Sequence, residues 1–263
     1  LDPANIQVQA FLYGVLKEII EKYKPDGINL DYIRYPQSNP RNELNSWGYT
    51  EYARNEFQEI YGKDPCEISV GDISWYDWNE YRRNKITDFV KTIGEIRRKS
   101  KVYISAVIFP DIASALSTKQ QDWRTWSYNN YIDGFTPLFL TYDSKMLVSM
   151  MNDVMKIKAP ETELYSGLFV TFMGGNSEDL IRQIFESRKL KANGIILFDY
   201  AHTTPIYTTT LMASAFKPVE NYSKKITKKN QKKENKKQQI QEDKSKRKTI
   251  MTTNSKGSWV FSK

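Results

Sequence analysis

Lys24-Pro25-Asp26-Gly27-Ile28-Asn29-Leu30-Asp31-Tyr32-Ile33 decides how the chain folds. Pro25 and Gly27 stop a preceding helix, and after Gly27 the apolar period changes from helical to two. In the expected strand 28–33, Ile28, Leu30 and Tyr32 share one face and Asn29 and Asp31 the other. Upstream, Leu1-Asp2-Pro3 reads as a helix start, with Asp2 as cap and Pro3 at the first helical position. Phe11, Val15, Leu16, Ile19, Ile20 and Tyr23 recur at helical spacing.

Downstream the change of period returns four times. A long amphipathic helix over 78–99 leads to a strand over 102–109, then a loop and a short helix over 122–128. Strand 133–140 precedes helix 144–158. Strand 164–171 precedes a helix that Ser177 caps and that runs to Leu190. Asn193-Gly194 turns into strand 195–199, and helix 203–216 ends the series. Residues 34–78 hold no long apolar period and read as a long loop insertion with one helix near 49–61.

Strands alternating with helices predict parallel βαβ units. Five strands suit an open doubly wound sheet or part of a (β/α)8 TIM barrel. The barrel is preferred because polar and aromatic residues follow several different strands. In addition, no glycine-rich phosphate loop follows any strand. On this reading the chain is an α/β fold holding about five C-terminal βα units of a barrel over 1–216. Three upstream units are then missing and two sheet edges unpaired.

The net charge of +8 is unevenly spread. Residues 217–263 hold 14 Lys and one Arg against Glu220, Glu234, Glu242 and Asp243, a net +11; the first 216 residues hold 24 basic and 27 acidic groups, a net −3. Nucleic-acid binding by the folded part is therefore not expected, and the lysine-rich tail is only a weak exception. That tail is expected to be disordered, because it has too few apolar residues to offset chain entropy. One Cys and one His leave no room for a cysteine- or histidine-rich metal site, and no cofactor is called for. No apolar run of 18 residues predicts a transmembrane helix.

Leu1-Asp2-Pro3 together with Asp26-Gly27-Ile28-Asn29-Leu30-Asp31-Tyr32-Ile33-Arg34-Tyr35-Pro36 resembles the hallmark of the family-10-like glycosyl hydrolases, the GHL10 group. Ile104 to Pro110, Gln121-Asp122-Trp123 with Trp126, Ile132-Asp133-Gly134-Phe135 and Gly194 to Tyr200 match in character, so the resemblance spans about residues 1 to 216. It implies a TIM barrel that hydrolyses glycosidic bonds in a polysaccharide, in secreted or cell-envelope proteins, with peptidoglycan glycan strands among the candidate substrates. The stretch also has the look of a chitinase strand, but Asn29 stands in place of an Asp and Ile33 in place of the catalytic Glu.

Asp31 is the expected catalytic carboxyl, at the end of a strand and in phase with Asn29. Glycoside hydrolysis normally uses a second carboxylate. Asp199 is the preferred partner; Asp111 and Asp143 also follow strands, although Asp143 suits a helix cap equally well. The strand over 164–171 carries no Glu at its end, which speaks against a standard pair of retaining carboxylates. Asn29, Arg34, Tyr35, Asp111, Trp123, Trp126, Tyr142 and Tyr200 are the candidate substrate contacts, the rings as stacking platforms for sugar faces, with loop shaping the alternative for Tyr35 and loop anchoring the alternative for Trp123, Trp126 and Tyr142. Phe172 and His202 are further candidates in the same loops.

Overall fold

Five parallel strands hydrogen-bond in chain order, β1 (Gly27–Leu30), β2 (Tyr103–Ile108), β3 (Gly134–Phe139), β4 (Glu163–Phe169) and β5 (Gly194–Phe198), in a computed structural model that describes residues 1–217. They form a parallel half-barrel sheet, as the alternating periods predict. Leu1–Leu211 form one compact unit, and of the residues after it 212–217 are described. The expected disorder of the lysine-rich tail falls outside the described residues.

The helices are α1 (Ile6–Glu18), α2 (Glu51–Tyr61), α3 (Ser74–Ser100), α4 (Ile112–Thr118), α5 (Trp123–Tyr128), α6 (Ser144–Ile157), α7 (Ser177–Lys189) and α8 (Pro205–Ala213). A π-turn over Ile19–Tyr23 extends α1. The helix-facing side of the sheet is the core. Ile104, Ala106, Ile108, Phe135, Phe139, Leu164 and Leu168 are all buried there. Helix α3 packs on β2, α6 on β3, and α7 on β4 and β5. Gly94 lets α3 approach the backbone at Tyr131, because a Cβ at this position would lie 2.8 Å from the Tyr131 carbonyl oxygen. On the opposite face, Tyr103 and Tyr165 each donate a phenol hydrogen bond of 2.7 Å to Glu163 Oε2.

Several local expectations are corrected. Asp2 does not cap α1: Asn5 does, accepting from Gln7 N–H, and the helix begins at Ile6. The apolar face of α1 lies open: Ile6, Phe11 and Tyr23 are more than 60% exposed, and no residue of the helix is buried. A helical period predicts an apolar face but not what covers it. Strand β1 stops at Leu30, because Tyr32 takes a left-handed φ of +53° that ends the ladder. Asn176, not Ser177, caps α7. Helix α4, in a segment read as loop, is capped by Asp111.

Residues 34–78 contain the expected helix as α2 and a packed cluster. Phe57, Trp75, Trp78 and Tyr81 meet Ala4, Ala53 and Ile68, with Trp78 stacked on Tyr81 at 5.3 Å and Phe57 edge-on to Trp78 at 5.1 Å. Arg82 is fully buried beside them, donating to Ser46 Oγ, Trp47 O and Asn79 Oδ1. Such a cluster contributes on the order of several kcal/mol, at about 1.5–3 kcal/mol per large side chain buried.

Candidate active site

Chain direction puts the C-terminal ends of all five strands at one rim, where barrel folds build their sites. The β1 end supplies Asn29, Asp31, Arg34 and Tyr35. Asn29 Oδ1 accepts from Ser105 Oγ at 2.8 Å, so the face opposite the helices is polar at this level. Asp31 is exposed and accepts from the Tyr32 N–H at 2.7 Å. The Arg34 guanidinium lies 4.7 Å from the Tyr32 ring centroid and 5.2 Å from that of Phe109, and donates to Tyr35 O. Burial lowers its pKa, partly offset by Tyr32 and the Asp31 carboxylate.

The loop after β1 is held against the segment joining α4 to α5. Tyr35 N–H donates to Lys119 O at 3.0 Å and Ser38 N–H to Thr118 O at 2.8 Å. Lys119 Nζ donates to Gln37 Oε1 at 3.0 Å and sits 4.4 Å from the Phe109 ring. Gln121, fully buried, accepts from Phe109 N–H and donates to Val107 O and Ile33 O. One amide thus ties the β1 loop to the end of β2. Lys119 is only 3% exposed, and burial, reinforced by the nearby Arg34 charge, lowers its pKa to about 8. The sequence reading overlooked Lys119, Phe109 and the clamping role of Gln121. The polar run Lys119-Gln120-Gln121 beside a strand end was the available signal, but side-chain type alone does not show that a lysine is buried.

Asp199 follows β5. Its carboxylate accepts from His202 N–H at 3.1 Å and lies 2.8 Å from His202 Nδ1. These bonds hold its pKa below the usual carboxylate range. It is more than half exposed, as is His202. Tyr200 is 93% exposed and Tyr142 65% exposed, so both rings are open to a ligand. Phe172 is 46% exposed and meets Phe169 edge-on, while Phe169 stacks on Phe198 at 4.9 Å. Tyr142, Asp143, Lys145, Asp179, Arg182 and Glu186 line a recess between the starts of α6 and α7.

Burial selects the structural alternative for three candidate substrate contacts. Trp123 and Trp126 are fully buried: Trp123 packs edge-on against Phe135, and Trp126 donates its indole N–H to Thr87 Oγ1. They are core residues and cannot stack on sugar. Tyr35 is 3% exposed, with its hydroxyl donating to Asp2 Oδ1, so it shapes the loop. Asp111 and Asp143 both act as helix caps, accepting from Ser114 N–H and Lys145 N–H. Asp31 and Asp199 follow the two edge strands. With β2 to β4 between them, that is four inter-strand steps, or about 19 Å measured along the sheet.

A parallel half-barrel with carboxylates, amides and open rings at its strand ends belongs to the barrel class of α/β proteins. The family described as Glycosyl hydrolase-like 10 matches residues 1–173, about two thirds of the 263, and the chain belongs to that family. The match includes the β1 rim and Gln121 but stops before β5, so Asp199, Tyr200 and His202 lie outside it. Comparison with curated proteins returns no match.

Proposed function

We propose that this chain carries part of the active site of a glycoside hydrolase that cleaves O-glycosidic bonds in a polysaccharide, in a secreted or cell-envelope setting, with a glycan such as that of peptidoglycan as the first substrate to try. The observation behind this reading is the β1 rim: an exposed Asp31 carboxyl beside Arg34, within the residues that the family matches. Asp31 acts as general acid or as electrostatic partner of an oxocarbenium-like transition state, and Arg34 and Asn29 orient hydroxyls. Tyr142 and Tyr200 offer faces to sugar rings. Asp199, on the opposite edge strand, is proposed as a polar contact to the glycan rather than as the acid–base partner of Asp31.

The test is reducing-end release from a panel of polysaccharides by the wild-type chain and by Asp31→Asn. This substitution keeps size and removes the titratable proton, so a drop of at least about 100-fold with an unchanged melting temperature is expected. Full activity in the variant would make Asp31 structural.

One observation favours a second reading, a barrel that binds carbohydrate without cleaving it. After β4 the chain runs Val170-Thr171-Phe172-Met173, with no carboxyl group, and its rim is the Phe169, Phe172 and Phe198 aromatic group. Glycan binding by calorimetry with no reducing ends released would select it.

A further inference from the structure

Leu1-Asp2-Pro3 and Arg34-Tyr35-Pro36 lie more than thirty residues apart, yet they meet at one carboxylate. Asp2 Oδ1 accepts from Ala4 N–H at 2.9 Å and from the Tyr35 hydroxyl at 3.0 Å. Asp2 Oδ2 accepts from the Thr50 hydroxyl, whose oxygen in turn caps α2 by accepting from Ala53 N–H. Since Asn5 already caps α1, this carboxylate is not spent on the helix it precedes.

Tyr35 is fixed on every side. Its ring lies 5.9 Å from the buried Arg82 guanidinium, and a Cβ on Gly48, which takes a left-handed φ of +97°, would come within 3.0 Å of the ring. Its N–H donates to Lys119 O, and its carbonyl accepts from Arg34 Nη1. Any shift of Tyr35 therefore moves both the peptide and the hydrogen-bond acceptor of the neighbouring Arg34. Burial, and then the Asp2 charge and hydrogen bond, push the phenol pKa up, so the hydroxyl keeps its proton and remains a donor to Asp2.

We infer that Asp2 is a positioning residue that acts through Tyr35 to hold Arg34 at the rim, and that it couples the packed segment 34–78 to the site. The activity arm of the test rests on the hydrolase reading proposed above; the exchange arm does not.

The experiment compares Asp2→Ala, Tyr35→Phe and the double variant in the full chain. Hydrogen exchange is read at the Arg34 and Tyr35 amides, and reducing-end release is read on the substrate that the polysaccharide panel identifies. Each single variant should speed exchange at both amides and lower kcat/KM by about tenfold, and the double variant should be no worse than Asp2→Ala, because Tyr35→Phe removes a bond that Asp2→Ala has already removed. Arg54→Ala, which breaks an ion pair with Asp64 in the same segment, should lower the melting temperature and leave Arg34 exchange unchanged. Unchanged exchange at Arg34 and Tyr35 in both single variants overturns the inference, as does a double variant whose losses multiply. If the wild type releases no reducing ends from any polysaccharide, the hydrolase reading fails and the exchange result alone decides whether Asp2 positions Arg34.

Discussion

The β1 and β5 rims carry the same sequence signal, an Asp directly after an apolar strand, yet they are built differently. The loop after β1 is tied to distant parts of the chain: Tyr35 to Asp2 and Lys119, Ser38 to Thr118, and Ile33 to Gln121. The loop after β5 is tied to itself, with Asp199 bonded to His202 and Thr203 donating back to Asp199 O. Long-range bonds fix a side chain relative to other strands, whereas local bonds fix only the turn. A strand-end position therefore identifies candidates without ranking them, and the extent of the anchoring supplies the ranking.

The largest effect that tests this ranking is catalytic. Asp31→Asn should cost at least about 100-fold in turnover, and Asp199→Asn no more than about 10-fold, because only the first sits in an anchored loop. Reducing-end assays on both variants check this, and an equal loss in both would erase the contrast.

Next is the clamp. Gln121→Met keeps the length of the side chain but leaves Phe109 N–H, Val107 O and Ile33 O without their partner. At about 1 kcal/mol or more for each buried group left unsatisfied, a loss of about 2–4 kcal/mol is expected in urea denaturation. A loss below about 0.5 kcal/mol would show that water or a neighbour replaces the amide and that the clamp is dispensable.

A similar size of effect separates buried from open rings. Trp123→Ala should cost about 3–5 kcal/mol of stability, whereas Tyr200→Ala should stay within about 0.5 kcal/mol. If the ring of Tyr200 stacks on substrate, its loss should instead weaken glycan binding in calorimetry. A stable Trp123→Ala variant would undo the assignment of that side chain to the core.

The smallest effect is the pH dependence of the β5 rim. The folded pKa of Asp199 is lowered, so its contribution to stability is present above the ordinary aspartate pKa of about 4 and is lost as pH falls through the folded value. The carboxylate is exposed, so the contribution is small. Asp199→Asn should melt slightly lower than wild type at pH 7, and the gap should close below about pH 4. A gap that stays open well below pH 4 would mean that it does not come from the Asp199 carboxylate.

Most strands and helices were legible in the sequence because hydrophobic period is a local property. The long helix α3 and the strands β2 to β5 fall within a few residues of where period and glycine breaks put them. The misses have a common cause. Trp123 and Trp126 follow a strand and so fit open rings as well as anchors, but α5 turns both against the core. Asp2 looked like a helix cap because a cap is the nearest use for an Asp before a helix; its observed partners, Tyr35 and Thr50, are remote in sequence. Lys119 and Gln121 stood in a polar run with no sign of burial.

The sequence by itself determined the alternation of strand and helix, the parallel order that follows from it, the strand-end placement of Asp31 and Asp199, and the resemblance that the family match bears out. These depend on residue type and spacing along a few turns of chain. Only the tertiary structure decided which Asp is a cap, which Trp is core, and which of the two rims is anchored. Those outcomes depend on which remote groups arrive within hydrogen-bond or van der Waals reach, and a single side chain such as Asp2 or Gln121 satisfies whichever partners the packing of the sheet brings to it.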